Sequence, residues 1–500
     1  MPDVRPPVPR PLCRAVDALC RRLLVPAGPA LASGVHQVLE RLQAPLQVAV
    51  TGRLSSGKST LVNALIGRKV APTAAGECTQ LVTRFTFGGI DRVEVILRDG
   101  RSVGLALDVD GTVPADAATR AGVALADVSH LEASITSALL AEFTVIDTPG
   151  LGALQREPLA GVQHSAVAGA EAVLHVLTQT ARADDADALA TFAADTAGRP
   201  AGPATVLAVV TKVDTVAPES VLGSDGTVWD AAMQLAAGQA AALGTRVADV
   251  LPVVGLLAET CVTGSLTGTD VDALRVLAAT EEATRSAMLL SGDLFTSLEC
   301  AVEATTRADL LAKLDLYGVS CAVRMLRADP ELAAGRVRAA LHAASGVDVV
   351  RLRLQSLLAA RVDVIKAAAA LGALATLAKR ADAPAEQAAV GDGIEALLRL
   401  PEAHQLRMAE ALTLLTSGIV ELPQDLTAEA VRLGSERDPS ARIGTPGAAP
   451  RELAAVALER AGWWRSFASF GATPAQARVA HVVHRSYFLL WQQLTSGAQP

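Results

Sequence analysis

Hydrophobic residues near the start of the chain recur at helical spacing. One series is Leu12, Val16, Leu19 and Leu23, and a second is Val35, Val38, Leu39 and Leu42. Spacings of three and four residues place side chains on one face of a helix. We therefore expect residues 1–45 to form two helices whose apolar faces join a larger helical bundle.

Between residues 46 and 280 the pattern changes to short β-rich runs that alternate with helical stretches. The runs are Leu46–Thr51, Leu81–Phe87, Val93–Leu97, Phe143–Ile146, Ala172–Leu177, Val206–Val210 and Leu251–Val254. Strands that alternate with helices are typical of βαβ units. Several runs are apolar throughout, as strands covered on both faces are. The pattern predicts an α/β domain with a mostly parallel sheet.

After residue 280 the periodicity is helical only. We predict a helical trunk over residues 281–433, a loop over residues 434–450, and two closing helices of a neck over residues 451–500. An unbroken helix over Val349–Lys379 would be about 45 Å long at a rise of 1.5 Å per residue. The second half of the chain is therefore expected to be a long all-α bundle.

Composition agrees with this division and excludes some functions. Hydrophobic residues make up 51% of the 500 residues and aromatic residues only 3%, which favours Ala- and Leu-rich helices. The net charge of −8 argues against a broad nucleic-acid-binding surface. We expect no signal peptide and no membrane-spanning run, and the cysteines show no metal-ligand spacing. These features predict a cytoplasmic protein, soluble or peripherally bound at the inner face of the cell membrane.

The run Leu46–Thr51 leads directly into a glycine-rich loop and then into apolar helical residues. The loop has the pattern G-x-x-x-x-G-K-[ST], a phosphate loop in its required strand–loop–helix setting. Its nucleotide-binding residues are Gly52, Arg53, Leu54, Ser55, Ser56, Gly57, Lys58, Ser59 and Thr60. Backbone N–H groups and a helix N-terminus attract phosphate there. Lys58 is expected to reach the β- and γ-phosphates, and the Ser59 hydroxyl to bind Mg²⁺.

A second motif follows the predicted strand Phe143–Ile146. It reads Asp-Thr-Pro-Gly over residues 147–150. The Asp147 carboxylate can hold Mg²⁺ through a water molecule, and the Gly150 amide can face the γ-phosphate. Both residues therefore belong to the predicted site.

A third motif, Thr-Lys-Val-Asp over residues 211–214, follows the predicted strand Val206–Val210. The Asp214 carboxylate can accept from both N1–H and N2–H₂ of guanine, a pair of donors that adenine lacks, and the stem of Lys212 can lie along the base. Thr211 begins this motif. Each short motif occurs by chance in many proteins, but this order after a phosphate loop predicts GTP as the nucleotide.

These motifs and the helical second half together resemble the dynamin-like large GTPases of bacteria, and among them the isoniazid-inducible proteins of mycobacteria. The resemblance implies that residues 70–83 are the first switch, in which Thr79 closes on Mg²⁺ and the attacking water. It also implies that Val254 and Gly255 lie in the last guanine-facing loop. The implied activity is hydrolysis of GTP to GDP and phosphate, coupled to assembly and membrane remodelling. The implied partner is a second copy, paired through the GTPase heads, or a paired dynamin-like protein.

The chain departs from that family at two positions. Leu54 stands where many members carry a Gln that helps orient the attacking water, so we expect slow basal hydrolysis. The candidates that replace it are a backbone carbonyl, Ser55 or a partner subunit. Arg53 is a candidate for the charge-stabilising arginine, with a solvated loop residue as the simpler interpretation. Val254 stands where Ser or Thr is common, but a backbone N–H to guanine survives that change.

Half of the fourteen aromatic residues lie near the C-terminus, interspersed with arginines. They are Trp463, Trp464, Phe467, Phe470, Tyr487, Phe488 and Trp491. One interpretation is a basic aromatic surface for lipid headgroups. The other is a helical hairpin that packs its aromatic residues against the N-terminal helices. A further candidate for membrane insertion is the segment 416–425, which offers Ile419, Val420 and Leu422.

Three functions remain open at this point. The first is a mechanochemical GTPase that remodels membranes, and the second is a regulatory switch GTPase that recruits partners without mechanical work. The third, a GTPase of ribosome or RNA assembly, calls for a compact basic C-terminal domain. Residues 281–500 contain 23 basic and 24 acidic side chains, which argues against that third function.

Overall fold

The computed structural model describes residues 10–25, 27–72, 81–149, 170–179, 206–359, 361–381, 383–416, 418–436 and 438–496. In these residues nine strands form one sheet. They are β1 (Leu46–Gly52), β2 (Thr83–Phe87), β3 (Arg92–Leu97), β4 (Ser102–Leu105), β5 (Val128–Ile135), β6 (Phe143–Asp147), β7 (Ala172–Leu177), β8 (Val206–Val210) and β9 (Asp249–Pro252).

The sheet is mixed but mostly parallel. Its spatial order is β4-β3-β5-β2-β6-β1-β7-β8-β9. The run from β6 through β1, β7 and β8 to β9 is parallel throughout. Antiparallel pairing is confined to the other side, where β2 meets β6 and β3 meets β4 and β5. The predicted fold class, an α/β sheet followed by an all-α half, is confirmed.

Two strands, β4 and β5, were not predicted from the sequence pattern. β5 alternates buried and half-buried residues, and β4 lies at the edge of the sheet with every residue at least partly exposed. Neither strand is an apolar run, so the pattern of fully covered strands did not reveal them. The last predicted strand was placed too late, because β9 ends at Pro252 and Val254 already precedes a helix.

The helices up to residue 380 are α1 (Pro11–Leu24), α2 (Pro29–Gln43), α3 (Lys58–Ile66), α4 (Ala117–Arg120), α5 (Ala138–Glu142), α6 (Val228–Leu243), α7 (Gly255–Val262), α8 (Gly268–Ala279), α9 (Glu282–Met288), α10 (Gly292–Ser297), α11 (Ala304–Ala328), α12 (Ala334–Ala344), α13 (Val347–Ala359) and α14 (Val362–Arg380). The remaining helices are α15 (Pro384–Leu398), α16 (His404–Thr416), α17 (Gln424–Ser435), α18 (Pro439–Ile443), α19 (Pro450–Phe470) and α20 (Pro474–Ser496). None of the described helices has the length and apolar character needed to cross a bilayer.

Both faces of the sheet are covered. Residues of β8 alternate between two hydrophobic cores, because successive side chains of a strand point to opposite faces. One core contains α3 and α13, and the other contains α7, α8, α11 and α12. Helices after residue 280 thus share the core of the sheet. The domain limits remain a prediction, and this packing favours a head that ends near residue 365, since Ile365 is the last residue in the core of the sheet.

The segment Val349–Lys379 is not one unbroken helix. α13 ends at Ala359 and α14 begins at Val362, with Arg361 in a non-helical conformation (φ −124°, ψ 0°). Leu354 of α13 packs in the core of the sheet, and Leu374 of α14 packs in the core of the N-terminal helices. Val362 and Ile365 in the first turn of α14 still pack in the core of the sheet, so the change from one core to the other occurs within α14.

The N-terminal helices pack against helices from the second half of the chain. α1, α2, α14 and α15 share one hydrophobic core. The Asp363 carboxylate of α14 accepts hydrogen bonds from the backbone N–H groups of Leu12 (3.0 Å) and Cys13 (2.8 Å). Asp363 therefore caps the start of α1, where the first N–H groups have no partner within the helix.

α16 to α20 form a distal bundle with its own core, and Leu406 of α16 connects it to the core of the N-terminal helices. The expectation that the C-terminal hairpin packs its aromatic residues against the N-terminal helices is wrong, because Trp464 and Tyr487 are buried in this distal core. Residues 434–450 are also more than a loop: they contain α18, which begins with an Asp438 side-chain cap and ends at Gly444 (φ 86°). Composition showed the turn residues but not the short helix between them.

Candidate nucleotide-binding site

The described parts of the three motifs lie at one edge of the sheet. The phosphate loop follows β1, Asp147 ends β6, and residues 211–214 follow β8. These strands are parallel, so their carboxyl ends meet at the same edge. Open α/β sheets bind ligands outside the carboxyl ends of their strands. Thr79 and Gly150, which the sequence analysis also assigned to the site, lie outside the described residues.

The phosphate loop has the backbone of a tight turn. Gly52 has φ 147°, and a Cβ atom there would lie 2.4 Å from the carbonyl oxygen of Val176, so only glycine fits. Ser55 (φ 60°) and Gly57 (φ 86°) are left-handed. Leu54 is 64% exposed. The loop then leads into α3, whose N-terminus points its free N–H groups toward the loop.

Lys58 lies folded into the loop. Its ammonium donates hydrogen bonds to the carbonyl oxygens of Gly52 (3.1 Å) and Arg53 (2.7 Å). Burial lowers the pKa of Lys58, and the charge of Asp147 opposes that shift. The positive charge is therefore held next to the backbone that would surround a phosphate group.

Ser59 and Asp147 form the candidate metal site. The Ser59 hydroxyl donates to Oδ2 of Asp147 at 3.1 Å. Oδ1 of Asp147 is buried and has no hydrogen-bond partner among the described residues. Burial raises the pKa of Asp147 to about 6, against the charge of Lys58 and the Ser59 hydrogen bond. A hydroxyl beside a carboxylate oxygen without a partner fits Mg²⁺, which prefers oxygen ligands.

Thr211 joins the guanine motif to the phosphate loop. Its hydroxyl donates to the carbonyl oxygen of Ser56 at 2.6 Å. Lys212 has a left-handed backbone (φ 56°), and its carbonyl oxygen accepts from the Gln179 side chain at 3.0 Å. Burial raises the pKa of Asp214. The sequence did not indicate Gln179, which lies just after the neighbouring strand β7 and stabilises this turn by its hydrogen bond to Lys212.

The last predicted loop leads into α7. Val254 is fully buried, and its backbone N–H donates to the carbonyl oxygen of Ser345 at 2.9 Å. The Val254 amide is thus engaged within the protein, while Gly255 begins the first turn of α7. A Cβ atom on Gly255 would lie 3.6 Å from the Thr60 side chain, so α7 starts directly beside α3.

Two further residues near the site were missed by sequence reasoning. Asn63 on α3 and Glu259 on α7 are buried and joined by a hydrogen bond of 2.7 Å. The signal for Asn63 was an amide side chain inside an otherwise apolar helical segment, a place that such residues usually avoid. Glu259 carried no such signal, because an acidic residue in a helix is commonly exposed.

The sequence is similar to dynamin-family proteins. The sequence model of the dynamin family matches residues 48–213. Isoniazid-induced protein IniC of Mycobacterium tuberculosis is 32% identical over 441 residues, which cover 85% of this chain and 85% of that protein. Dynamin-like protein 2 of Campylobacter jejuni is 30% identical over 152 residues, which cover 29% of this chain and 23% of that protein.

The similarity of this chain to solved structures is weaker than its similarity to these sequences. A bacterial dynamin pair, described as oligomerised and as sensing and tethering membranes, aligns with 99% of this chain and 76% of its own. The sequence identity is 13% and the TM-score 0.37, which carries no argument about this chain. The identity with IniC, by contrast, confirms the resemblance to the isoniazid-inducible proteins of mycobacteria. This chain belongs to the dynamin family.

Proposed function

We propose that this chain binds GTP with Mg²⁺ and hydrolyses it to GDP and phosphate. One observation carries the proposal: the phosphate loop and the guanine motif lie at one edge of the sheet and are joined by the hydrogen bond from Thr211 to Ser56. That bond sets the distance between the residues for the phosphates and the residue for the base. Membership of the dynamin family supports the same activity.

Lys58 supplies the charge for the phosphate end. It now donates to two neutral carbonyl oxygens, Gly52 O and Arg53 O. A phosphate oxygen is a stronger acceptor because it is charged. Nucleotide binding can therefore draw the ammonium from the loop carbonyls to the β- and γ-phosphates, while the N–H groups of the loop and of α3 surround them.

Ser59 and Asp147 would hold Mg²⁺, Ser59 directly and Asp147 through water, with Thr79 as the third predicted residue. When bound, the metal neutralises charge that develops on the phosphates during transfer. Gly150 is proposed to offer its amide to the γ-phosphate. Asp214 is proposed to read guanine, with Lys212 along the base and Gly255 beside it.

Turnover by an isolated chain is expected to be slow. Phosphoryl transfer depends on positioning the water and stabilising charge, and the exposed Leu54 side chain offers no hydrogen bond for either task. Ser55, Arg53, a backbone carbonyl or a second subunit must complete the site. Because the loop is open to solvent at Leu54, we propose that a second head or a paired dynamin-like partner covers it.

The far end of the distal bundle is the proposed membrane contact. Ile419, between α16 and α17, is 70% exposed, whereas its predicted neighbour Val420 is buried in the distal core. Phe470, at the end of α19, is 91% exposed. The Gln476 side chain donates to the carbonyl oxygen of Glu421 at 2.7 Å, which holds the two connections side by side. Exposed apolar side chains at the end of a bundle suit shallow insertion among lipid headgroups. We propose that through this contact the protein, cytoplasmic and peripheral, binds the inner face of the cell membrane and remodels it.

The experiment that tests the proposal is GTP turnover by the purified chain, measured against protein concentration with and without anionic liposomes. A rate per molecule that rises with concentration or with lipid supports assembly and membrane work. A flat, slow rate insensitive to both favours either the second candidate, a regulatory switch that recruits partners, or a subunit that is silent until its partner arrives. Absence of nucleotide binding would refute both.

A further inference from the structure

Asn63 lies in the middle of the phosphate-loop helix with all of its hydrogen-bonding groups used. Its side-chain oxygen accepts from the backbone N–H groups of Val70 (2.9 Å) and Ala71 (2.7 Å). Its side-chain nitrogen donates to the carbonyl oxygen of Ala71 (3.0 Å) and to Oε1 of Glu259 (2.7 Å). An amide has two donors and one oxygen that accepts twice, so no capacity is left. An aspartate in its place would lose both donors.

The partners of Asn63 come from two functional segments. Val70 and Ala71 begin the predicted first switch, and the Val70 carbonyl also accepts from the N–H of Val113 at 2.8 Å. Glu259 lies on α7, the helix that begins at the predicted guanine-facing residue Gly255. The amide thus joins the phosphate-loop helix, the start of the switch and the guanine-side helix.

A carboxylate at Glu259 needs an explanation, since the residue is only 9% exposed. Burial raises its pKa, while the Asn63 hydrogen bond and the charge of Lys69 oppose that shift. Without the Glu259 oxygen one N–H of Asn63 would be buried and unpaired, which is unfavourable. An apolar side chain of similar size would fill the space equally well, so filling space does not account for the acid.

We propose that Asn63 and Glu259 are a pair of positioning residues for GTP hydrolysis, which hold the start of the first switch at Val70–Ala71 against the phosphate-loop helix. The proposal rests on the proposed function, because it assigns these residues to the same site. Neither residue needs to touch the nucleotide. Their removal therefore lowers turnover while the affinity for GDP is kept, since GDP binding depends on the phosphate loop and the guanine motif.

The test compares Glu259→Leu with Glu259→Gln in the full chain. Leucine fills the space without accepting a hydrogen bond, whereas the glutamine oxygen can still accept from Asn63. We expect Glu259→Leu to lower kcat about tenfold, and Glu259→Gln to stay within about twofold of the unmodified chain. The GDP dissociation constant should change by less than about threefold in both. Cys261→Ala is the matched control. Cys261 is also buried on α7, but its side chain packs in the hydrophobic core that α7 shares with α8, α11 and α12.

Two further measurements distinguish a failure of the positioning role from a folding defect and from a failure of the proposed function. If Glu259→Leu does not fold, Glu259→Asp keeps the charge but shortens the side chain by one methylene, and its kcat should also fall. Unchanged kcat in the folded variant, equal losses of kcat and GDP affinity, or an equal loss in Cys261→Ala would overturn the positioning role. Failure of the unmodified chain to bind GDP or a non-hydrolysable GTP analogue would instead overturn the proposed function.

Discussion

A single carboxylate holds three helices of the distal bundle together. Glu429 on α17 is buried and accepts from Nε (2.8 Å) and Nη2 of Arg460, from Nε1 of Trp464 (3.1 Å) and from the hydroxyl of Tyr487 (2.8 Å). Arg460 and Trp464 belong to α19, and Tyr487 to α20. We predict that Glu429→Gln destabilises this bundle strongly although the two side chains have nearly the same size.

The magnitude follows from what the substitution removes. Glutamine loses the charge that pairs with Arg460 and turns an amide N–H₂ toward donors that need an acceptor. Breaking a fully buried ion pair costs about 3–5 kcal/mol, and a hydrogen bond to a charged group contributes about 1.5–3 kcal/mol. The Arg460 side chain is 27% exposed, so water recovers part of the loss. We expect the free energy of unfolding to fall by about 2–4 kcal/mol.

The effect should depend on pH in a definite direction. Burial would raise the pKa of Glu429, but hydrogen bonds from Arg460, Trp464 and Tyr487 outweigh it and lower the pKa below 4.5. A lowered pKa in the folded state stabilises the protein above the unfolded value and loses this contribution as the pH falls through the folded value. The difference between the unmodified chain and Glu429→Gln should therefore be full at pH 7 and shrink below about pH 4.5.

The assay is urea unfolding followed by tryptophan fluorescence, because three of the four tryptophans lie in α19 and α20. Glu459→Gln is the matched control: Glu459 is exposed on α19, and the same change there should cost less than about 0.5 kcal/mol. Equal unfolding free energies for the two variants at pH 7 would show that Glu429 does not hold the bundle. A difference that persists unchanged at pH 3 would contradict the ion-pair explanation.

Three further predictions concern the nucleotide and the membrane. Lys58→Ala should weaken GTP binding by about a hundredfold through loss of a charged phosphate contact, as measured by titration with a fluorescent GTP analogue; retained tight binding would disprove the assignment of the loop. Asp214→Asn should weaken GTP by about a hundredfold and favour xanthine nucleotides, so an unchanged preference in competition assays would mean that guanine is read elsewhere. Phe470→Ser should reduce co-sedimentation with anionic liposomes several-fold and leave GTP binding intact, since Phe470 is exposed at the far end of the distal bundle; undiminished sedimentation would exclude this end as the membrane contact.

The motifs that follow strands could be predicted from the sequence because their chemistry is local. The phosphate loop is a contiguous stretch in which glycines, Lys58 and Ser59 carry their own meaning. Asp147 and Asp214 stand at the ends of apolar runs, and parallel strands bring such ends to one edge. Knowledge of the strands therefore sufficed to predict that these residues belong to one site.

Contacts between distant segments could not be predicted in the same way. Asn63 and Glu259 are 196 residues apart, and Glu429 and Tyr487 are 58 residues apart. A polar side chain in a helix has the same sequence signature whether it faces water or a buried partner. Only the packing of the helices decides whether such a side chain faces water or a buried partner.

The sequence by itself determined which segments are strands or helices wherever an apolar run or a helical period was strong, and it was sufficient to predict the chemistry proposed for the three motifs. The tertiary structure alone decided where the helices pack. Helical periodicity shows that a face is apolar but not which surface covers it. Only the tertiary structure shows that α13 and the first turn of α14 lie on the sheet, that the rest of α14 lies in the N-terminal bundle, and that Trp464 and Tyr487 have a core of their own.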